Sequence, residues 1–197
     1  TKGAILDGLS AHDVAIINGD LQWSNAWRER AGPAKVVTFG QTARVDYRLL
    51  DMQFEGFGGS SCRIGTPSGE IQLRLALPGI PGVMNAMAAL ALGQSMGVSD
   101  EAISRGLSSV APAKGRGELH VLPNGVTLVD DSYNANPLSV DAAIRTLARC
   151  EGRKRLVLGD MLELGSDGPA QHQNLAHLAR QVGLDELWLV GSNAAAA

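Results

Sequence analysis

The chain has 197 residues, 45 % of them apolar, enough for one large core or two small ones. A net charge of −3 and an aromatic content of 4 % exclude the footprint of a DNA- or RNA-binding surface and a stacking platform for single strands. No run of about 18 apolar residues exists to span a membrane, and no basic-then-apolar secretory pattern opens the sequence. Cys62 and Cys150 stand far apart and unpatterned, as suits buried small hydrophobes in a reducing cytoplasm.

Residues 14–77 favour strands. Val14 to Ile17, Lys35 to Phe39 and Val45 to Met52 are short strand-like runs, and Thr66-Pro67-Ser68-Gly69 centres a hairpin. Its second strand alternates, with Ile71, Leu73, Leu75 and Leu77 on one face and Gln72, Arg74 and Ala76 on the other. That is the pattern of a half-buried antiparallel strand. A helix is predicted from about Val83 to Met96, stopped by Gly97 at C′. Ser99 caps a second helix, with Asp100 and Glu101 in its first turn and an end near Leu107. The run Ala111-Pro112-Ala113-Lys114-Gly115 then breaks the periodicity and divides the chain into 1–111 and 112–197.

After this linker the rhythm changes. Strand 126–129, helix 137–149, strand 155–158, helix 169–181 and strand 186–190 predict a βαβαβ unit. Its strands are short, apolar and unalternating, as expected where helices cover both faces. The acids after the first strand, Gly159-Asp160-Met161 after the second and Gly191-Ser192 after the third fall on one sheet edge. Open α/β sheets bind their ligands along that edge. No Gly-x-Gly-x-x-Gly follows a strand, so a nicotinamide or flavin site has no support.

The stretch Leu128-Val129-Asp130-Asp131-Ser132-Tyr133-Asn134-Ala135-Asn136-Pro137 carries the most information. A strand runs into two carboxylates and an amide-rich turn. Asn136 reads as an N-cap and Pro137 as the first residue of a helix, with Val140, Ala143, Ile144 and Leu147 at helical spacing. Two acids and two amides suit a metal-bound phosphate better than an apolar ligand. They equally suit an Asx-rich turn that does no more than cap the helix.

The run from Asp130 to Pro137 resembles the opening signature of the C-terminal domain of the Mur ligases. Within them it is most similar to the branch that joins D-alanyl-D-alanine to a UDP-N-acetylmuramoyl tripeptide. Leu158-Gly159-Asp160-Met161-Leu162-Glu163-Leu164-Gly165 matches the loop after the next strand in that branch. Gly115-Arg116-Gly117-Glu118 resembles the family's Gly-Arg segment at the domain junction, and Leu77-Pro78-Gly79 with Asn85-Ala86 resembles its nucleotide segment. The resemblance covers essentially the whole chain. It implies an α/β protein: part of a Mur ligase central ATPase domain over 1–111, followed by the first part of a Rossmann-like C-terminal βαβαβ unit over 112–197. The family's phosphate loop, Gly-x-x-x-x-Gly-Lys-Ser/Thr, does not occur here. The resemblance therefore places that loop upstream of Thr1 and the rest of the C-terminal domain beyond Ala197, and it predicts little or no activity for these residues alone.

The activity implied is ATP-dependent amide formation through an acyl phosphate, in the synthesis of peptidoglycan precursors for the growing and dividing cell wall. The implied cofactors are ATP and Mg²⁺, the partners the tripeptide and dipeptide substrates, and the state a cytoplasmic monomer. Lys2, in Thr-Lys-Gly-Ala-Ile-Leu, resembles the family's carbamylated lysine, whose carbamate would ligate Mg²⁺; otherwise it is a solvated lysine near a helix start. By the same resemblance Asp131 is catalytic and nucleotide-contacting, and Asn85, Arg116 and Asn134 bind ATP. Asp130 is read as holding the turn. Pro81 and Gly82 depart from the His-Asn that the family usually carries before Asn85, which leaves Asn85 the alternative role of capping a helix. Asn136, Asp160 and Glu163 are assigned to the substrates, Asn136 with its competing cap role and the two acids with loop stabilisation as the other reading. His172 falls where the family often has histidine, with packing as its default role. His12, His120 and His177 lack Cys or His partners at zinc-ligand spacing. Trp23, Trp27 and Trp188 are expected to be core or loop anchors. The alternatives to a dipeptide-adding ligase are an inactive nucleotide- or substrate-binding module and a related Mur or folate-type ligase with another substrate.

Overall fold

The computed structural model describes residues 2–195, the side chain of Lys2 excepted. The chain separates into two compact units: residues 1–54, 59–76 and 80–110, and residues 55–58, 77–79 and 111–197.

In the first unit, a 3₁₀ turn (Lys2–Leu6) precedes β1 (Val14–Asn18), α1 (Ser24–Arg30), β2 (Lys35–Gly40) and β3 (Tyr47–Phe54). The hairpin β4 (Ser60–Thr66) and β5 (Gly69–Leu75) follows, then α2 (Gly79–Ser95) and α3 (Asp100–Ser108). The five strands lie in the order β1-β2-β3-β4-β5. β1, β2 and β3 are parallel, and β3, β4 and β5 antiparallel. The link from β2 to β3 is too short for an ordinary parallel crossover. It suffices because the two strands overlap only at Phe39–Tyr47 and Gly40–Arg48. Asp46, within that link, accepts from the buried Thr38 N–H and hydroxyl, each at 2.8 Å, and so closes the turn.

Leu73 and Leu75 are buried on one face of β5 while Gln72 and Arg74 face solvent, as the alternation predicts. The strand stops at Leu75, leaving Leu77 outside it. Ile64, Val83, Met87, Leu90 and Ala91 are fully buried. Cys62 is buried as well, and burial pushes its thiol up to about 11, which makes it an inert hydrophobe at neutral pH. α2 closes with a Schellman motif around Gly97 (φ 79): Val98 N–H donates to Gly93 O and Gly97 N–H to Gln94 O, each at 3.0 Å. Ser99 then caps α3.

α2 starts at Gly79, a turn earlier than its apolar periodicity suggests. Pro81 therefore lies in the first helical turn, where an absent N–H costs nothing. Asn85 consequently sits well inside the helix, exposed, and cannot cap it.

The second unit contains β6 (Glu118–Val121), β7 (Thr127–Asp130), α4 (Pro137–Ala148), β8 (Arg155–Gly159), α5 (Gly168–Gln181), β9 (Glu186–Val190) and the short α6 (Ser192–Ala195). The predicted elements are present in order, but the pairing of their strands differs from the expectation. β7 pairs antiparallel with β6, whereas β8 and β9 form a separate parallel pair. β6 is short and largely exposed; Glu118-Leu119-His120-Val121 alternates over only four residues, the least that marks a strand, and it is not among the predicted strands. Its turn into β7 does carry a signal, Asn124-Gly125.

The core of this unit is Val140 and Ile144 of α4, Leu158 of β8, Met161, and Leu175 and Ala179 of α5, with Leu156, Leu187 and Leu189 packed against it. Val157, Trp188 and Val190, on the opposite strand faces, are 60–70 % exposed. The expectation of helices over both faces is thus corrected: α4 and α5 cover one face only, and these strands alternate. Their apolar composition concealed that alternation. Trp188 and Trp23 are exposed rather than anchoring a core, and only Trp27 packs against a buried cluster, that of Ala15, Ile17 and Ala31. Among the described residues no helix is long and apolar enough to cross a membrane.

Candidate functional site

The turn after β7 folds back on the segment before β6. Gly117 N–H donates to Asp130 O at 2.9 Å, and Tyr133 N–H to Gly115 O at 3.0 Å. Gly115 is buried at φ 70, and a Cβ there would meet Tyr133 backbone at 3.3 Å, so only glycine lets the two segments approach this closely. That clasp brings the Arg116 guanidinium over the Tyr133 ring, 4.1 Å from its centroid. Both side chains are exposed.

The two acids divide the work. Asp130 accepts from Ser132 N–H (3.1 Å) and from Ser132 Oγ–H (2.6 Å), and these bonds hold its carboxyl below the usual carboxylate range. It is committed to the turn. Asp131 next to it has its pKa raised by desolvation; the Arg116 charge opposes that shift and the Asp130 charge adds to it. The pair Asp131 and Arg116 is therefore electrostatically linked and open to a ligand. Asn134 is exposed in the same turn. Asn136 caps α4: its Oδ1 accepts from Leu138 and Ser139 N–H, each at 3.1 Å, and Ser139 Oγ accepts from Asn136 N–H at 3.1 Å. Its amide oxygen is thereby engaged in a full capping box.

On the loop after β8, Asp160 and Glu163 also separate. Asp160 Oδ1 accepts from Ala194 N–H at 2.8 Å, and Oδ2 from the Ser192 hydroxyl at 3.4 Å. The carboxylate fastens the start of α6 to the loop. It also demands glycine at 191, where a Cβ would stand 2.4 Å from the carboxyl carbon of Asp160. Glu163 is exposed with φ 63, the one non-glycine residue of positive φ among those described. His172 is completely buried on α5, with Nδ1 2.7 Å from Gly168 O and Nε2 accepting from Met161 N–H at 2.9 Å. The sequence reading missed this contact. Its signal was a histidine one turn into a helix with apolar Leu175 nearby.

Asp160 yields a pH prediction. The Ala194 N–H bond is the first cause of its lowered pKa, with Asn193 and Ser192 adding to it against desolvation. A carboxyl depressed in the fold stabilises fully above its unfolded value, about 3.9, and loses that contribution as pH falls through the folded value. Asp160→Asn is expected to flatten the acid limb of unfolding free energy against pH, wild type and variant converging at the acid end. Parallel curves from neutral pH to the acid end would contradict this.

The structure thus gathers Arg116, Asp130, Asp131 and Tyr133 around one turn, and Asp160 with Ser192–Ala194 around another. Lys2 and Asn85 belong to the first unit; the Lys2 backbone opens the 3₁₀ turn and its side chain lies outside the described residues. The hairpin also brings together groups whose spacing gave no hint of it: the ligand atoms of Glu118, His120 and Asp130 lie within 4.8 Å of one another. Glu118 and Asp130 are directly opposed across the strands, and His120 Nε2 is 3.7 Å from Glu118 Oε2. A cavity of about 460 Å³ in the first unit, lined by Ile5, Leu6, Ile17, Trp27, Phe39 and Leu92 among others, is apolar and holds none of the candidate residues.

The Mur ligase middle domain model matches residues 1–93, and the model of the Mur ligase glutamate ligase domain matches residues 115–197. The UDP-N-acetylmuramoyl-tripeptide–D-alanyl-D-alanine ligase of Escherichia coli K12 is 36 % identical over 192 residues, covering 96 % of this chain and 42 % of its own length. A crystal structure of MurF from Acinetobacter baumannii superposes with a TM-score of 0.92 at 31 % identity, over 99 % of this chain and 42 % of that one. MurF from Thermotoga maritima in complex with ADP gives 0.83 at 23 % identity over 100 % of this chain and 44 % of its own, a likeness of fold. The chain therefore spans about two fifths of the length of the relatives it matches.

Proposed function

This chain belongs to the Mur ligase family, and from that premise we propose that it forms part of an ATP-dependent ligase adding D-alanyl-D-alanine to a UDP-N-acetylmuramoyl tripeptide. Residues 1–111 are the later part of the ATP-binding middle domain, and 112–197 the first part of the C-terminal domain. The observation that carries the reading is the Asp131–Arg116–Tyr133 cluster, built by the Asp130–Pro137 motif and the family's Gly-Arg segment and combining a fixed cation with an open carboxylate. The 36 % identity over nearly the whole chain supports the same branch.

The residues fit a nucleotide. Arg116 is stacked on an aromatic ring rather than spent on a carboxylate ion pair among the described residues, so its planar, permanently charged fork is free for phosphate. The Asp131 carboxylate lies near enough to feel the Arg116 charge, and Asn134 offers an amide in the same turn. Bound ATP would supply the phosphoryl group that activates the tripeptide carboxylate. The chain's own part is to neutralise charge with Arg116 and to hold the amine substrate with the Asp160–Gly165 loop. Lys2, as a carbamate, would offer Mg²⁺ the oxygen ligand that hard ion prefers. We expect such an enzyme to work in the cytoplasm and as a monomer.

Mass spectrometry of the products tests the reading. The full-length protein with Mg²⁺, ATP and both peptides is expected to give the UDP-N-acetylmuramoyl tripeptide extended by one D-alanyl-D-alanine. Extension by a different amine would move it to a related branch. ATP binding with no product would favour the inactive module that Pro81 and Gly82, in place of His-Asn, suggest.

A further inference from the structure

We propose that His172 is a positioning residue: its buried imidazole fixes the loop between β8 and α5 so that Glu163, not Asp160, is the carboxylate offered to the amine substrate. The inference rests on the ligase reading and deepens it.

His172 has no exposed surface. Because Nε2 accepts from the Met161 backbone N–H, that nitrogen carries no proton, and Nδ1–H donates to Gly168 O one helical turn earlier. One neutral tautomer satisfies both nitrogens. Packing alone would be served by leucine without the desolvation cost of an imidazole. The hydrogen bond to Met161 is what the histidine adds.

Met161 is 2 % exposed and belongs to the core cluster, so its side chain and its backbone N–H are both held. Asp160, one residue earlier, is held by Ala194 N–H. Two consecutive residues of the loop are therefore fixed by two different elements, Asp160 by α6 and Met161 by α5. The chain then leaves the core: Leu162 is 75 % exposed, Glu163 is exposed with φ 63, and Gly165 turns at φ 56. Left-handed backbone is costly for a residue with a Cβ and persists only where its surroundings determine it. The anchors at 160 and 161 provide that determination.

The two acids then have separate duties. Asp160 is engaged by Ala194 N–H and the Ser192 hydroxyl. Glu163 projects from the fixed loop with an exposed carboxylate, the group for an ammonium such as the amino end of a dipeptide.

Steady-state kinetics of the full-length protein tests this with two variants. His172→Asn keeps a donor for Gly168 O and removes the acceptor for Met161; His172→Gln can place an oxygen where Nε2 accepts. His172→Asn is expected to raise the KM for D-alanyl-D-alanine about tenfold, with the KM for ATP within about twofold of wild type. His172→Gln is expected to restore the dipeptide KM to within about threefold. Amide exchange at Met161 should quicken in the Asn variant and return toward wild type in the Gln variant. Equal rises in both KM values would reduce His172 to a folding role and overturn the proposal. Faster exchange with an unchanged dipeptide KM would overturn it too. If wild type shows no dependence on the dipeptide, the ligase reading fails and takes the role of Glu163 with it, while amide exchange still reports whether His172 fixes the loop.

Discussion

Gly59→Ala is expected to destabilise the first unit by about 3 kcal/mol or more, enough to unfold a marginal domain. Gly59 enters β4 at φ 144, and an alanine Cβ there would lie 2.1 Å from the backbone oxygen of Leu75 and 3.2 Å from its carbonyl carbon. That carbonyl ends β5, the ladder partner of β4, so it cannot yield without opening the Ser60–Leu75 pairing. Gly69, at the other end of the hairpin, gives the comparison. Its φ is 141, nearly the same, yet a Cβ there meets nothing within 4 Å. Gly69→Ala isolates the backbone strain and is expected to cost about 1–2 kcal/mol. Urea denaturation of the two variants separates the terms. Equal shifts in midpoint at unchanged slope would show that the contact with Leu75 is not what requires glycine at 59.

The second large effect concerns activity. Arg116→Ala in the full-length protein is expected to lower kcat/KM for ATP about a hundredfold. The side chain is exposed, so the fold is expected to survive the change. Arg116→Lys keeps the charge but loses the planar fork, and an intermediate value is expected. Tyr133→Phe keeps the ring face on which the guanidinium lies, so it should stay near wild type, whereas Tyr133→Ala should move toward the arginine variant. Near-wild-type kinetics for Arg116→Ala would remove this cluster from the nucleotide site.

Much of this molecule could be read from its residues because the signals were local. Asn136 and Pro137 announced α4 through capping chemistry, and Gly97 and Ser99 marked the break between α2 and α3. The alternation of Ile71, Leu73 and Leu75 located β5 and its buried face. Where pairing is long-range, local pattern was not enough. β6 alternates over only four residues, and no local pattern states that it pairs with β7, a union separate from the β8–β9 ladder. The first turn of α2 carries no apolar spacing, so the helix is expected only from Val83, whereas it starts at Gly79 with Pro81 in the first turn, where a proline obstructs nothing.

The candidate site shows the same limit. Residue types placed two acids at the end of β7 and two on the next loop. Only the geometry separates Asp130, held by Ser132, from Asp131, and Asp160, held by Ala194, from Glu163. Hydrogen-bond partners more than thirty residues away, as for Asp160 and Ala194, leave no trace in spacing. The histidine at 172 was visible as a letter, but its bond to Met161 was not.

The most direct measurement is phosphate release by the full-length protein supplied with Mg²⁺, ATP, UDP-N-acetylmuramoyl tripeptide and D-alanyl-D-alanine, each omitted in turn. Release that stops when either peptide is withheld is the predicted result and would establish both the ligase and its branch. Nucleotide binding without release in the complete mixture would contradict it and leave the chain as part of a binding module.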